Sequence, residues 1–119
     1  MDEINSTIKC IFKSEQEHSL YIVLRNKYSN YNVIPNYEIS RLIKLDEIKE
    51  LLTQEEYNFL ISDSAYFNIV IFNKEGFPLK VFRILREGCH NEKEWIKKDA
   101  IITKVCELAN LEYEEVYWL

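Results

Sequence analysis

The stretch YFNIVIFNKEGFPLKVFRILR, Tyr66–Arg86, decides the fold of this chain. Its first part, 67–72, is aromatic and β-branched, which is typical of a β-strand. Residues 73–76 then have the composition of a tight turn, with glycine where a positive φ is needed, and 79–85 supply a returning strand. Because both strands are apolar at nearly every position, the pattern predicts a hairpin in a sheet that is covered on both faces.

Helical patterns lie on both sides of this hairpin. Ser14 and Glu17 have the spacing of a capping box and predict a helix over 15–27. After the hairpin, Asn91 is placed to cap a second helix, whose apolar positions recur with helical spacing as far as about Asn110. These two helices can cover the sheet.

The remaining segments complete a single domain over 1–119. Residues 33–34 stand before a proline, which excludes helical angles there and predicts a short strand. The spacing of apolar residues predicts two or three short helices in 39–60, and 111–119 predict a final strand. The segment 1–13 is an edge strand or an extended arm. The fold class is therefore α/β, with a central mixed β-sheet flanked by helices.

Composition limits the classes of function. The 119 residues include 15 Lys plus Arg and 20 Asp plus Glu, which gives a net charge of -5 and no overall attraction to nucleic acid or to an anionic membrane. The three cysteines, Cys10, Cys89 and Cys106, have no CxxC spacing, so we expect idle thiols and no zinc site or disulfide framework. A secretion signal and a long apolar run are absent from the sequence. We expect a cytoplasmic protein that does not enter membranes.

Several short motifs carry a family resemblance. Glu17 precedes the pair Leu20–Tyr21, Val-Ile-Pro occupies 33–35, and His90 is followed nine residues later by Asp99. With the order of elements, these motifs resemble the restriction-endonuclease-like PD-(D/E)XK fold, and more closely a bacterial nuclease-like domain family of unknown function. The resemblance covers nearly the whole chain and implies a bacterial or phage protein with that fold.

The chain departs from this family where the chemistry would be. Asn68 stands where the family has the Asp of its first hairpin strand, and Arg83 stands where it has the Glu of the second; a register shifted by one residue puts Ile84 there instead. Hydrolysis at such a site uses Mg²⁺ bound to carboxylate oxygens. Arginine has no acceptor for a metal. The departures predict a catalytically inactive domain without a cofactor, which binds a protein partner in a regulatory, defence or anti-defence role.

A first alternative is a Mg²⁺-dependent DNA or RNA nuclease with relocated acids. Glu17, Asp63 and Glu87 are the acids that would have to converge on the sheet edge, and His90 would orient an acid or contact phosphate. Against it, Glu17 is also a capping-box partner, the other two are also typical loop acids, and His90 is also a polar residue ahead of a helix.

A second alternative is a nucleic-acid-binding module that does not cleave. Lys93, Lys97 and Lys98 with Trp95 place cations beside an aromatic ring, which resembles a weak platform for a single strand. The same residues with their acidic neighbours also form an ordinary solvated helix face. This alternative predicts binding that weakens steeply with salt.

Overall fold

The computed structural model describes residues 10–86 and 92–118. The helices are α1 (Glu15–Lys27), α2 (Ile39–Leu42), α3 (Gln54–Leu60) and α4 (Glu92–Leu108), with short 3-10 turns at Leu45–Glu47 and Lys49–Leu51. The strands are β1 (Asn32–Glu38), β2 (Tyr66–Phe72), β3 (Pro78–Arg86) and β4 (Tyr113–Trp118). The α/β prediction is confirmed.

The strands form one mixed sheet. Within the described ranges its order is β1-β2-β3-β4, with antiparallel pairing of β1 to β2 and of β2 to β3, and parallel pairing of β3 to β4. A parallel pair needs a long crossover connection, and α4 provides it. The predicted hairpin is therefore the centre of the sheet.

Helices cover both faces of the sheet, as the apolar strands predict. On one face α1 packs Leu20 and Leu24 against Ile69, Ile71 and Phe82. On the other face α2, α3 and α4 cover the sheet, with a core formed by these buried residues: Ile39, Ile43, Leu45, Leu60, Phe67, Val70, Phe72, Val81, Ile101, Ile102, Val105 and Cys106. Each face thus has its own apolar core.

The helices α1 and α3 begin with different sets of capping hydrogen bonds. Thr53 and Glu56 form the complete box at the start of α3. At α1 only half of it forms: the Ser14 hydroxyl accepts from the Glu17 backbone N–H, but the Glu17 carboxylate accepts from the backbone N–H of Lys13 and not from that of Ser14. The reason is that this carboxylate turns inward, where it has further partners.

Two residues with a positive φ lie between elements, Gly76 in the hairpin turn and Asn110 after α4. Gly76 has φ 90 in the hairpin turn, as the sequence predicts. Asn110 has φ 55 and lies two residues beyond the end of α4, so the helix stops at Leu108 and not at Asn110. The cap predicted at Asn91 lies outside the described residues.

The described part of the segment before α1 is an arm that packs on the helix. Residues 10–13 form no strand, and the Phe12 ring lies 4.5 Å from the His18 ring and 5.2 Å from the Tyr21 ring, measured between centroids. Among the helices that the structure describes, none has the length and apolar character needed to cross a membrane.

Candidate functional site

A cleft opens where β2 and β3 separate. Their ladder ends at the pair Ile69–Phe82, while β3 continues as far as Arg86 paired only to β4. The side chain of Asn68 fills the gap in the ladder, because its Oδ1 accepts from the backbone N–H of Ile84 at 2.8 Å. The cleft has a volume of about 290 Å³ and is lined by Lys13, Ser14, Tyr66, Asn68, Arg83, Ile84, Leu85, Trp95 and Asp99.

Beneath the cleft lies a buried carboxylate with three donors. Glu17 is fully buried. Its Oε1 accepts from the backbone N–H of Lys13 at 2.9 Å and from Nδ2 of Asn36 at 2.7 Å, and its Oε2 accepts from Nδ2 of Asn68 at 2.8 Å. A buried carboxylate is tolerated when such donors replace water. Glu17 therefore acts as a structural acceptor that joins α1 to β1 and β2.

A local kink in β1 and β2 aims the two asparagines at Glu17. Ile69 packs in the core under α1, yet the adjacent Asn68 also points to α1, while Phe67 and Tyr37 belong to the opposite core. The side chains thus fail to alternate at this point. The continuous register places Asn36, with φ 54, opposite Asn68. Asparagine tolerates this left-handed conformation better than most residues.

The second departure from the family pattern, Arg83, forms an ion pair. Its side chain is 5% exposed, and its Nη2 donates to Oδ1 of Asp99 at 2.9 Å. Its Nη1 donates to the carbonyl oxygen of Tyr66 at 3.1 Å. Burial raises the pKa of Asp99 above its ordinary value, and this outweighs the lowering by the Arg83 guanidinium. The pair joins β3 to α4 across the cleft.

The described residues do not fit a magnesium ion. Both oxygens of Glu17 and both ends of the Asn68 amide already have partners in the protein. Arg83 adds a positive charge on the opposite wall. Within residues 10–86 and 92–118 no group of three or more His, Cys, Asp or Glu side chains comes together to hold a metal.

Of the three acids that the nuclease alternative needs, the structure describes Glu17 and Asp63. Glu17 is buried under Asn68, whereas Asp63 is exposed and lines an adjoining part of the cleft with Phe59, Ser64 and Lys98. Glu87 and His90 lie outside the described residues. Asp99, which the resemblance picked out, is a partner of Arg83.

The basic residues of α4 are also separated. Lys97 pairs with Glu55 of α3 at 2.5 Å, and Lys93 is exposed. Lys98 instead lies 5.3 Å from the Trp95 ring centroid and 5.9 Å from that of Phe59. Of the four residues in the predicted nucleic-acid platform, only Trp95 and Lys98 line the cleft.

Three residues of the site, Lys13, Asn36 and Tyr66, were not predicted from the sequence. Asn36 had a weak signal, because asparagine next to a proline in a strand favours an irregular backbone. Lys13 and Tyr66 had none. Lys13 lies before a helix and Tyr66 lies at the start of a strand, and only the packing of α1 on the sheet brings them together, with Lys13 Nζ 4.7 Å from the Tyr66 ring centroid.

Cys106 of α4 is buried in the apolar core and should be unreactive in the folded protein. Burial raises the pKa of its thiol to about 12, so its thiolate fraction at pH 8 is roughly a thousandth of that of an ordinary thiol. We expect iodoacetamide to label the exposed Cys10 in minutes and Cys106 only after unfolding, as read by peptide mass spectrometry. Equal labelling rates in the native protein would contradict the buried placement.

No protein-family model, curated protein or solved structure matches the chain. The class defined by fold and cleft is an α/β domain with a mixed four-stranded sheet over its described residues. The relationship to restriction-endonuclease-like proteins stays a prediction from the sequence.

Proposed function

We propose that this chain is a nuclease-like domain that does not catalyse hydrolysis and acts by binding a protein partner, in a regulatory, defence or anti-defence role. One observation carries the proposal. The two positions at which the resembled family has its metal-binding acids hold Asn68, whose amide oxygen and nitrogen each have a hydrogen-bond partner, and Arg83, which pairs with Asp99. Both side chains connect elements of the fold, neither is a carboxylate, and Arg83 has no acceptor for a metal.

The surface beside the cleft favours a protein over a nucleic acid as the partner. Trp95 and Ile96 at the start of α4 are 42% and 68% exposed, and Trp with Tyr and Arg are the residue types that dominate binding energy in protein interfaces. Tyr66 and Arg83 line the cleft next to Trp95. The net charge of -5 gives no general attraction to a polyanion.

Two experiments test this function. Purified protein incubated with Mg²⁺ or Mn²⁺ should leave single- and double-stranded DNA and RNA intact, while circular dichroism confirms that it is folded.

A photo-crosslinking amino acid at position 96 should capture a protein in the native cell, and one at position 22, on the opposite face of the sheet, should not. The captured protein is then purified and its affinity measured directly.

The reconstituted complex should depend on Trp95. Trp95→Ala is expected to weaken the affinity at least roughly tenfold, since buried interface tryptophans are typical hot spots, and Ile22→Ala should leave it unchanged. Metal-dependent cleavage by the folded protein would refute the absence of catalysis. Capture of nucleic acid in place of protein at position 96 would refute the class of partner.

Binding of a single nucleic-acid strand without cleavage is a second candidate, because Lys98 lies beside Trp95 and Lys13 beside Tyr66. It makes a sharper prediction than the sequence did. Lys98→Glu should abolish the binding, whereas Lys97→Glu should change it little, since Lys97 already pairs with Glu55. Fluorescence anisotropy with a labelled oligonucleotide at low salt measures both.

A further inference from the structure

The cleft gathers three cations, two of which have no carboxylate partner among the described residues. Lys13, Arg83 and Lys98 line it or its adjoining part, and of these Arg83 pairs with Asp99. Among the described residues neither lysine lies within ion-pair distance of a carboxylate, and each lies over an aromatic ring instead, Lys13 over Tyr66 and Lys98 over Trp95. By contrast, Lys97 and Lys104 on the same helix pair with Glu55 and Glu56, and Lys80 pairs with Glu112 and Glu114.

Arg83 adds an unsatisfied donor that is buried in the wall of this cleft. Its guanidinium is buried, and its Nε–H has no hydrogen-bond acceptor. Its Nη1 and Nη2 each make one hydrogen bond, although a guanidinium has five N–H donors in all. A buried donor without an acceptor is unfavourable. The wall of the cleft is therefore prepared to donate to an anionic group.

The charge balance and the size of the cleft define that group. Among the described lining residues, two carboxylates, Asp99 and Asp63, stand against the three cations, so the lining side chains carry an excess of about one positive charge. The cleft and its adjoining part have volumes of about 290 and 370 Å³, each near the lower end of the range for ligand sites, roughly 300–1,000 Å³. One small group with a single negative charge matches both properties, and a carboxylate is such a group.

The surroundings of the cleft disfavour a longer anion. A phosphate monoester carries about 1.5 to 2 negative charges, more than the excess on the described lining residues. A nucleic acid would bring further phosphates to a protein whose net charge is -5. An acidic residue flanked by basic or neutral residues meets no such repulsion.

We propose that the cleft between β2, β3 and α4 is the recognition site for an acidic side chain of a protein partner. Lys13 and Lys98 attract its carboxylate, Arg83 donates to it from the wall, and Tyr66 and Trp95 pack against its aliphatic part. This inference rests on the proposed function and adds to it the place and the chemistry of recognition.

A direct test uses small probes and does not require the partner. The probe is a five-residue peptide, acetylated and amidated, with glutamate at its centre and a lysine at each end. Nuclear magnetic resonance of the ¹⁵N-labelled full chain follows the Trp95 indole N–H and the Arg83 Nε–H signals. The glutamate peptide should shift both signals, and the same peptide with central glutamine should bind at least roughly tenfold more weakly, because charge-assisted hydrogen bonds are lost.

Variants on the protein side test the same contact. Lys13→Gln with Lys98→Gln should weaken binding of the glutamate peptide about tenfold, and both positions are at the surface of the site, so folding is not at risk. Lys27→Gln with Lys74→Gln removes the same charge from exposed positions away from the cleft and should leave binding unchanged. The far-ultraviolet circular dichroism of all variants should match that of the wild type.

Each other outcome overturns the inference. Equal binding of the glutamate and glutamine peptides, or no shift of Trp95 and Arg83 with either, removes carboxylate recognition. Tighter binding of inorganic phosphate or of an oligothymidine assigns the cleft to phosphate instead. The proposed function is tested separately from the site. If a reconstituted partner binds the Lys13→Gln, Lys98→Gln double variant as tightly as the wild type, the proposed function stands and the proposed site is refuted.

Discussion

Glu17→Ala is expected to lower the free energy of unfolding by about 3–5 kcal/mol, since each buried donor left without its partner costs roughly 1–3 kcal/mol. Three donors lose an acceptor in this variant: the backbone N–H of Lys13 and the side-chain amides of Asn36 and Asn68. Of these, the Asn36 amide keeps the carbonyl oxygen of Ile11 as an acceptor. The total stability of a typical domain is only about 5–15 kcal/mol. Urea unfolding followed by circular dichroism measures the loss.

Two further variants separate the causes of this loss. Glu15→Ala removes an exposed carboxylate from the same turn of α1 and should change the stability by less than about 0.5 kcal/mol. Glu17→Gln keeps the shape of the side chain but turns one acceptor into a donor that faces other donors, so we expect an intermediate loss. If Glu17→Ala costs no more than Glu15→Ala, the carboxylate is not the structural acceptor that joins α1 to the sheet.

Local patterns predicted most of the architecture. The run 67–72, the glycine turn and 79–85 form the hairpin at almost the expected bounds, and α1 has the bounds predicted for it. These elements follow from properties of neighbouring residues: β-branched runs, helical spacing and capping. The two-sided covering of the sheet also follows, because apolar residues on both faces of a strand need partners on both sides.

The site was less predictable because its contacts join distant parts of the chain. Glu17 and Asn68 were both recognised as special positions, yet nothing local indicates that these residues, 51 positions apart, bring Oε2 and Nδ2 within 2.8 Å of each other. Strand prediction assumes that side chains alternate between the two faces, and this alternation fails at Asn68 and Ile69, opposite the left-handed Asn36. The partner of Arg83 was equally hard to predict, because Asp99 lies on α4, the helix of the crossover connection, and no local pattern pairs this helix with β3.

Restoring the acid at the first departure should damage the fold and not create a nuclease. Asn68→Asp replaces the amide that donates to Glu17 at 2.8 Å with a second carboxylate. Two charges about 3 Å apart repel by roughly 5 kcal/mol at an effective dielectric near 20. We expect a loss of about 3–5 kcal/mol in the free energy of unfolding at pH 7, measured by urea unfolding, and no cleavage of DNA or RNA.

The pH dependence of this variant identifies the repulsion as the cause. A proton shared by two adjacent carboxylates removes their repulsion, so the stability difference between Asn68→Asp and the wild type should shrink as the pH falls. Asn30→Asp, which adds the same charge at an exposed position, should show little loss and no such recovery. An equal deficit at acidic and neutral pH would assign the loss to lost packing instead.

A divalent cation is the other way to neutralise two adjacent carboxylates. It has to reach them through a cleft in which Arg83 and Lys13 already place positive charges, and Glu17 itself is buried beneath Asn68. We therefore expect Mg²⁺ and Mn²⁺ to leave the stability of Asn68→Asp unchanged. Stabilisation of this variant by either ion would show that a single substitution separates the cleft from a metal site. The absence of stabilisation would show that the second carboxylate alone does not make the cleft a binding site for these ions.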